Sequence, residues 1–268
     1  MIGTQLRLHR LLPPGKNIII LPVDHGEFQG PRKGLIDARQ TVSALTGYDA
    51  ILLSPGMMER CWDVIASRPG LISIVRINWN SDYCFQWDYR QGIHGLVRTP
   101  DEALALGADA VLASLALGTG DPSADSASVE MFARVAAEAK AAGIPIGGEV
   151  YPSKAGLLAA DEFHDLIWRS CRIASELGAD FIKTFYTGPH FAEVVEATPA
   201  PIIVLGASKV NEADALAMAA AGVAAGARGV VFGRNVFESS DPQRFLNALG
   251  AVVREGAAPA DAAAAYGW

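Results

Sequence analysis

Lys183 lies in the run Phe181-Ile182-Lys183-Thr184-Phe185, with apolar, β-prone neighbours on both sides. An ammonium group held there must leave water, and desolvation penalises its charged form. A lysine with a lowered pKa offers a free amine near neutral pH, and a free amine attacks carbonyls to form a Schiff base. The bland reading of a strand lysine is the solvent face or an edge; the apolar flanks favour catalysis. Other segments carry polar groups at comparable places: Asp24-His25-Gly26, Glu149-Val150-Tyr151, Gly206-Ala207-Ser208-Lys209 and Gly233-Arg234-Asn235. Alternate residues of a strand share a face. Phe181, Lys183 and Phe185 therefore form one face, Gly147, Glu149 and Tyr151 a second, and Ile20, Pro22 and Asp24 a third. If the three faces converge, an amine, a phenol and carboxylates meet in one pocket. Such a set suits carbon–carbon bond chemistry. Lys183 would hold a ketone as an iminium, the electron sink for the carbanion. Tyr151 would move the proton of the aldol hydroxyl. Asp24 would orient a substrate hydroxyl or assist iminium formation, with His25 and Glu149 lining the substrate.

The elements that must position these groups repeat one pattern, in which a helical stretch ends in a Gly or Pro turn and a short Val- and Ile-rich run follows. Strands are predicted at Asn17–Val23, Ala50–Ser54, Leu71–Ile77, Ala108–Leu115, Ile144–Tyr151, Asp180–Phe185, Pro201–Leu205 and Gly229–Phe232. Helices are predicted at Leu35–Leu45, Met57–Ser67, Pro100–Leu106, Ser126–Ala142, Ala159–Leu177, Phe191–Ala197, Asn211–Ala225 and Pro242–Glu255, with a last short one within Ala257–Trp268. Asp241-Pro242 reads as an N-cap followed by proline at the first helical position. Continuous apolar strands separated by helices imply a parallel sheet covered on its outside. Eight of them point to a single-domain α/β (β/α)8 barrel, preceded by a segment at residues 1–15. The rival, an open doubly wound sheet, would more often carry a Gly-rich fingerprint after the first strand; Val23-Asp24-His25-Gly26-Glu27-Phe28-Gln29-Gly30 lacks it. In such a barrel the active site lies at the carboxyl ends of the strands, and the loops after strands seven and eight commonly hold phosphate. Gly206, Ser208 and Gly233 can offer backbone N–H groups there, and Lys209 and Arg234 can supply charge.

Each position has a plainer alternative. Tyr151 can be a rim aromatic, Asp24-His25-Gly26 a turn, and Gly233-Arg234-Asn235 the start of a helix with an exposed arginine. Arg76, inside the third strand, is either inward and functional or paired structurally, and the residues alone do not choose. His25, His94, His164 and His190 lack the clustered spacing of a zinc site, so neither a metal nor another cofactor is expected. The 268 residues carry a net charge of −7, which argues against a nucleic-acid or anionic-membrane partner. Three scattered cysteines suggest a reducing compartment. With no signal peptide or membrane span recognisable, a cytoplasmic protein is expected.

Val23-Asp24-His25-Gly26, Glu149-Val150-Tyr151-Pro152, the segment from Ala179 to Gly188 around Lys183, and Gly233-Arg234-Asn235 resemble, in order and over nearly the whole chain, the archaeal-type class I fructose-bisphosphate aldolases. That family belongs to the broader deoxyribose-phosphate and tagatose-bisphosphate aldolase group. The resemblance implies a (β/α)8 barrel, metal-independent aldol chemistry on a phosphorylated sugar, and a homo-oligomer. By motif match it makes Lys183 the Schiff-base lysine, Tyr151 the proton shuttle, Asp24 the first-strand aspartate, and the loops after strands seven and eight the phosphate cradle. Departures accompany it. The family usually reads Tyr-Pro-Arg-Gly after strand five, whereas here Tyr151-Pro152-Ser153-Lys154 stands, leaving only Lys154 to replace an arginine that holds a distal phosphate. The loop after strand seven lacks the usual paired glycines and proline. The segment Asn78–Leu96 is longer and more aromatic than usual, and reads equally as a packed loop or subunit contact and as a lid over the acceptor pocket. Three functions compete: a retro-aldolase releasing dihydroxyacetone phosphate; a transaldolase-like or acyl-transfer enzyme using the same lysine; and a non-catalytic sugar-phosphate-binding barrel.

Overall fold

The computed structural model describes residues 1–153 and 155–268; Lys154 lies outside the described residues. Eight parallel strands form the centre: β1 (Ile18–Pro22), β2 (Ala50–Leu53), β3 (Ile72–Arg76), β4 (Ala110–Leu115), β5 (Ile146–Val150), β6 (Phe181–Phe185), β7 (Ile202–Leu205) and β8 (Gly229–Val231). Each pairs with its neighbour in chain order, and β8 pairs back onto β1, so the sheet closes into a barrel. All eight predicted strands are present, each slightly trimmed at its ends.

Strict alternation fills both sides of the wall. Ile18, Ile20, Leu52, Ile74, Leu112, Phe181, Ile203 and Val231 pack inside the barrel, while Ile19, Leu21, Ile51, Leu53, Val75, Ile182 and Val204 pack outward against helices. That double burial is why the strands read as unbroken apolar runs. Gly147 makes room for the interior: a Cβ there would stand 2.4 Å from the Phe181 ring.

The repeated strand-entry turn has a structural cause. Gly47, Gly107 and Gly178 all adopt positive φ, which glycine tolerates at low cost. The aspartate two residues later reaches across to the neighbouring strand: Asp49 accepts from the Ile19 N–H at 2.8 Å, Asp109 from Ser73 at 3.0 Å, and Asp180 from Ile146 at 2.9 Å. Each carboxylate satisfies a backbone donor at the amino-terminal rim that the ladder leaves open.

The helices run α1 (Ile2–Leu11), α2 (Gly26–Gln29), α3 (Ala38–Ala44), α4 (Pro55–Ala66), α5 (Pro100–Ala105), α6 (Pro122–Ala142), α7 (Ala160–Glu176), α8 (Phe191–Ala197), α9 (Glu212–Ala224), α10 (Arg234–Phe237), α11 (Pro242–Glu255) and α12 (Pro259–Ala265). Asp241 caps α11 by accepting from the Arg244 N–H, with Pro242 in the first turn. Some elements differ from the sequence reading, and the four-residue α2 stands where no helix was predicted. The segment at residues 1–15 contains α1, whose end brings Leu11 and Leu12 into the interior cluster at the bottom of the barrel. Asn78–Leu96 is a β-hairpin, Asn78–Asn80 paired antiparallel with His94–Leu96, joined by two 3₁₀ turns. No helix among the described residues is long and apolar enough to cross a membrane.

Candidate active site

The strands bring the polar residues to the carboxyl-terminal mouth. Ser114 stands beside Glu149 in the β4–β5 register, and Glu149 beside Lys183 in the β5–β6 register, so all three project the same way. Arg76 ends β3 on the face of Ile72 and Ile74, which is the inner one. The result is a buried charged chain. Lys183 Nζ is 2.5 Å from Glu149 Oε1. The other Glu149 oxygen is held by Arg76. The Arg76 guanidinium also donates to Asp24 Oδ2 at 2.6 Å and to Ser114 Oγ at 2.8 Å. Arg76 is only 1% exposed, Glu149 3%, Asp24 4% and Lys183 8%. Two cations and two carboxylates thus alternate as Lys183, Glu149, Arg76, Asp24.

Burial alone would raise the Asp24 pKa, yet the Arg76 and Lys183 charges outweigh it and hold it at about 2. Glu149 is lowered for the same balance of reasons. Both carboxylates therefore stay ionised at neutral pH. Burial pushes the Tyr151 phenol up to about 12, so it keeps its proton. His25 is brought down to about 4, mainly by burial, and is a neutral imidazole, 3.7 Å from Asp24 and edge-on to Phe237.

These groups line one cleft: Asp24, His25, Arg76, Glu149, Tyr151 and Lys183 on one part of the wall, and Gly206, Ala207, Gly233 and Arg234 on the other. The structure brings only part of the expected phosphate cradle to the cleft: Gly206, Gly233 and Arg234. Ser208 and Lys209 do not line the cleft; Lys209 turns to Glu212 at 3.2 Å and to the Val210 carbonyl. The Gly206 N–H already donates to the Val231 carbonyl at 3.2 Å. Gly206 serves by its size, since a Cβ would stand 2.9 Å from both Asn235 Nδ2 and the Phe232 ring, and at Gly233 one would stand 2.6 Å from His25. Asn235 ties the two loops together, donating to the Gly206 carbonyl at 2.7 Å and accepting from the Val210 N–H at 3.0 Å. Arg234 remains as the cation of this wall. Its guanidinium sits 5.7 Å over the Phe85 ring.

The hairpin supplies the roof. Tyr83 packs edge-on against Tyr151 at 4.6 Å and Phe28 at 4.8 Å, and the Arg76 guanidinium lies over both the Phe28 and the Tyr83 rings. The hairpin is tied on three sides. Asn78 exchanges hydrogen bonds with the Ser114 backbone, Asp82 accepts from Ser153 Oγ at 2.6 Å, and Gln86 donates to the Phe28 carbonyl. Tyr83 and Phe85 line the cleft, whereas Trp87, Tyr89 and Ile93 point to solvent. Lys154, expected as a replacement for a phosphate-holding arginine, lies outside the described residues.

Arg76 was an open choice in the sequence; alternation with Ile72 and Ile74 is the signal that it faces inward. Ser114 carried the same signal from Ala110 and Leu112. Tyr83 and Phe85 were marked only by the aromatic excess of their segment, and Phe28 and Gln29 carried no signal, because short irregular segments have no period. His164 and His190 meet each other and Glu193 away from the cleft, and His94 pairs with Asn78. Among the described residues no group of three or more His, Cys, Asp or Glu is arranged to hold a metal ion.

The family model for DeoC/LacD family aldolase matches residues 18–239, the span from the first barrel strand through the Arg234 loop. The chain is 33% identical to the 2-amino-3,7-dideoxy-D-threo-hept-6-ulosonate synthase of Halobacterium salinarum, over 99% of this chain and 97% of the relative. It is 30% identical to the 3-hydroxy-5-phosphonooxypentane-2,4-dione thiolase of Yersinia pestis, over 98% of this chain and 86% of the relative. A solved Schiff-base-forming fructose-1,6-bisphosphate aldolase superposes with a TM-score of 0.78 at 25% identity, covering 92% of this chain and 98% of the other. The chain is an enzyme and belongs to the DeoC/LacD aldolase family.

Proposed function

We propose that this enzyme is a class I aldolase that makes or breaks a phosphorylated ketose through a Schiff base on Lys183, with dihydroxyacetone phosphate as the ketone half. The observation that carries the reading is the buried Lys183–Glu149 pair at 2.5 Å, opening on a cleft that also holds Tyr151 and Arg234. Glu149 is placed to take the ammonium proton. The amine adds to the ketone carbon and water leaves, forming the iminium; loss of a proton from the adjacent carbon gives an enamine. In the condensation direction the enamine carbon attacks the aldehyde carbon. Tyr151, protonated at neutral pH, gives its proton to the developing alkoxide. Water then hydrolyses the iminium and frees Lys183. Cleavage is the reverse. Asp24, ionised and fixed by Arg76, orients a substrate hydroxyl, and Arg234 binds the donor phosphate.

A second reading keeps the lysine and changes the partner: a transaldolase-like condensation or an acyl transfer. The names of the two relatives above, a synthase and a thiolase, favour it. The two readings share the imine and differ in the donor carbonyl and the acceptor.

The test is borohydride reduction of the protein with dihydroxyacetone phosphate, followed by intact and peptide mass spectrometry. The expected result is a stable adduct on Lys183, absent in Lys183→Met. An adduct on another residue, or turnover surviving in Lys183→Met, would overturn the Schiff-base assignment. An adduct formed only with a different carbonyl compound would select the second reading.

A further inference from the structure

A second cavity lies at the opposite end of the barrel, and nothing in the aldol chemistry uses it. It is bounded by the loop after α1, by the turns that enter β2 and β3, and by the end of α11, and its volume is about 690 Å³. That lies within the roughly 300–1,000 Å³ typical of small-molecule sites. Its charge runs against that of the chain. The whole protein has 22 basic and 29 acidic residues, yet this cavity is lined by Arg10, Lys16, Arg68 and Arg254 against a single carboxylate, Asp49.

Asp49 is already committed: it accepts from the Ile19 N–H at 2.8 Å and from Arg254 at 2.7 Å. Arg68 is held rigidly by neutral groups, donating to the Leu45 carbonyl at 2.8 Å, the Tyr48 hydroxyl at 2.6 Å and the Ser43 carbonyl at 3.0 Å. No carboxylate lies within ion-pair distance of Arg10, Lys16 or Arg68 among the described residues. The loop bearing Lys16 is itself pinned, because Arg228 donates to the Pro13 and Lys16 carbonyls at 2.6 and 3.1 Å. Like charges gathered without counterions repel one another and cost stability, and a bound anion relieves that cost. A fixed guanidinium beside exposed cations suits the several oxygens of a phosphate.

We propose that this cavity at the amino-terminal mouth of the barrel is a binding site for a phosphate-bearing small molecule, separate from the catalytic cleft. The proposal does not depend on the assignment of Lys183.

Arg234→Ala removes the anion site expected in the cleft, so phosphate binding is measured in that protein. Inorganic phosphate and glycerol 1-phosphate are each titrated by calorimetry, with thermal unfolding in parallel. The expected result is one saturable site that raises the melting temperature, as any ligand of the folded state must. The double substitution Arg10→Glu with Lys16→Glu, at side chains that make no hydrogen bond or ion pair among the described residues, should weaken it at least about tenfold. Tighter binding of the ester would identify a phosphorylated metabolite as the ligand; equal binding would identify inorganic phosphate. No saturable binding at millimolar concentration, or binding untouched by the double substitution, would overturn the proposal. A changed oligomeric state in the double variant, with no phosphate bound by its parent, would also overturn it and assign the basic mouth to a subunit contact.

Discussion

At the scale of single residues, the proposed chemistry rests on the alternating chain Lys183, Glu149, Arg76, Asp24, whose burial has a cost. A buried ion pair compensates the desolvation of both partners, and removing one partner strands the other. Arg76→Leu leaves Asp24 and Glu149 buried without their shared cation. It should destabilise the fold by about 3–5 kcal/mol, read from urea unfolding at pH 7. A loss below about 1 kcal/mol would mean that water reaches these carboxylates. Tyr151 tests the proton-transfer role. Tyr151→Phe keeps the ring contacts with Tyr83 and Phe185 and loses only the hydroxyl. It should retain borohydride trapping on Lys183 while turnover falls about a hundredfold or more. Equal loss of trapping and turnover would point instead to a damaged pocket.

At the scale of elements, the loops after β7 and β8 divide a task that the sequence reading had spread over several residues. Arg234 enters the cleft because α10 begins immediately after β8, whereas Lys209 is drawn to Glu212 in the first turn of α9. Arg234→Ala should raise KM for a phosphorylated substrate at least tenfold with a smaller change in kcat, while Lys209→Ala leaves both nearly unchanged. Steady-state kinetics on phosphorylated and unphosphorylated substrates separates the two, and equal loss on both substrates would count against Arg234 as the phosphate group's partner. The hairpin at residues 78–96 is the other decisive element. Its inner face presents Tyr83 and Phe85 to the cleft, and its anchors at Ser114, Ser153 and Phe28 hold it across the mouth.

At the scale of the whole molecule, the pH dependence of stability reports groups that titrate differently once buried. Burial lifts Glu27 from its ordinary value of 4.5 to about 7, and neither carboxylate oxygen has a hydrogen-bond partner among the described residues. A carboxyl whose pKa is raised on folding binds its proton more tightly when folded. Its contribution is therefore full below about pH 4.5 and is lost as pH rises towards 7. His25 and Asp24 act in the opposite sense: both are lowered on folding, so stability falls as pH drops from about 6.5 towards 4 for the first, and from about 4 towards 2 for the second. Because Glu27 and His25 oppose each other over one window, the informative measurement is a difference. Glu27→Gln, which cannot ionise, should stabilise the protein at pH 8 relative to pH 4.5 by on the order of 2 kcal/mol, seen as a pH-dependent gap between the two melting curves. A gap of constant size would show that Glu27 does not titrate in this range.

The order and type of the barrel elements were legible in the chain because a strand buried on both faces is an apolar run, and each run here is entered through a glycine or proline turn. Period-two alternation also grouped Lys183 with Phe181 and Phe185, Glu149 with Tyr151, and Asp24 with Ile20 and Pro22, each set on one face of its strand. Arg76 and Ser114 obeyed the same rule, but alternation leaves open which face is the inner one until the sheet closes. Three things waited for the tertiary structure. The pairing of Lys183 with Glu149, and of Arg76 with Glu149, Asp24 and Ser114, depends on register across β3, β4, β5 and β6 and on the loop after β1, which no single segment encodes. The turning away of Lys209 depends on a competing carboxylate one helical turn ahead. The roof of Tyr83 and Phe85, and the basic cavity at the far mouth, arise where irregular loops from distant parts of the chain meet. Such loops have no periodicity to read, and their side chains are directed only by the surfaces the closed barrel presents to them.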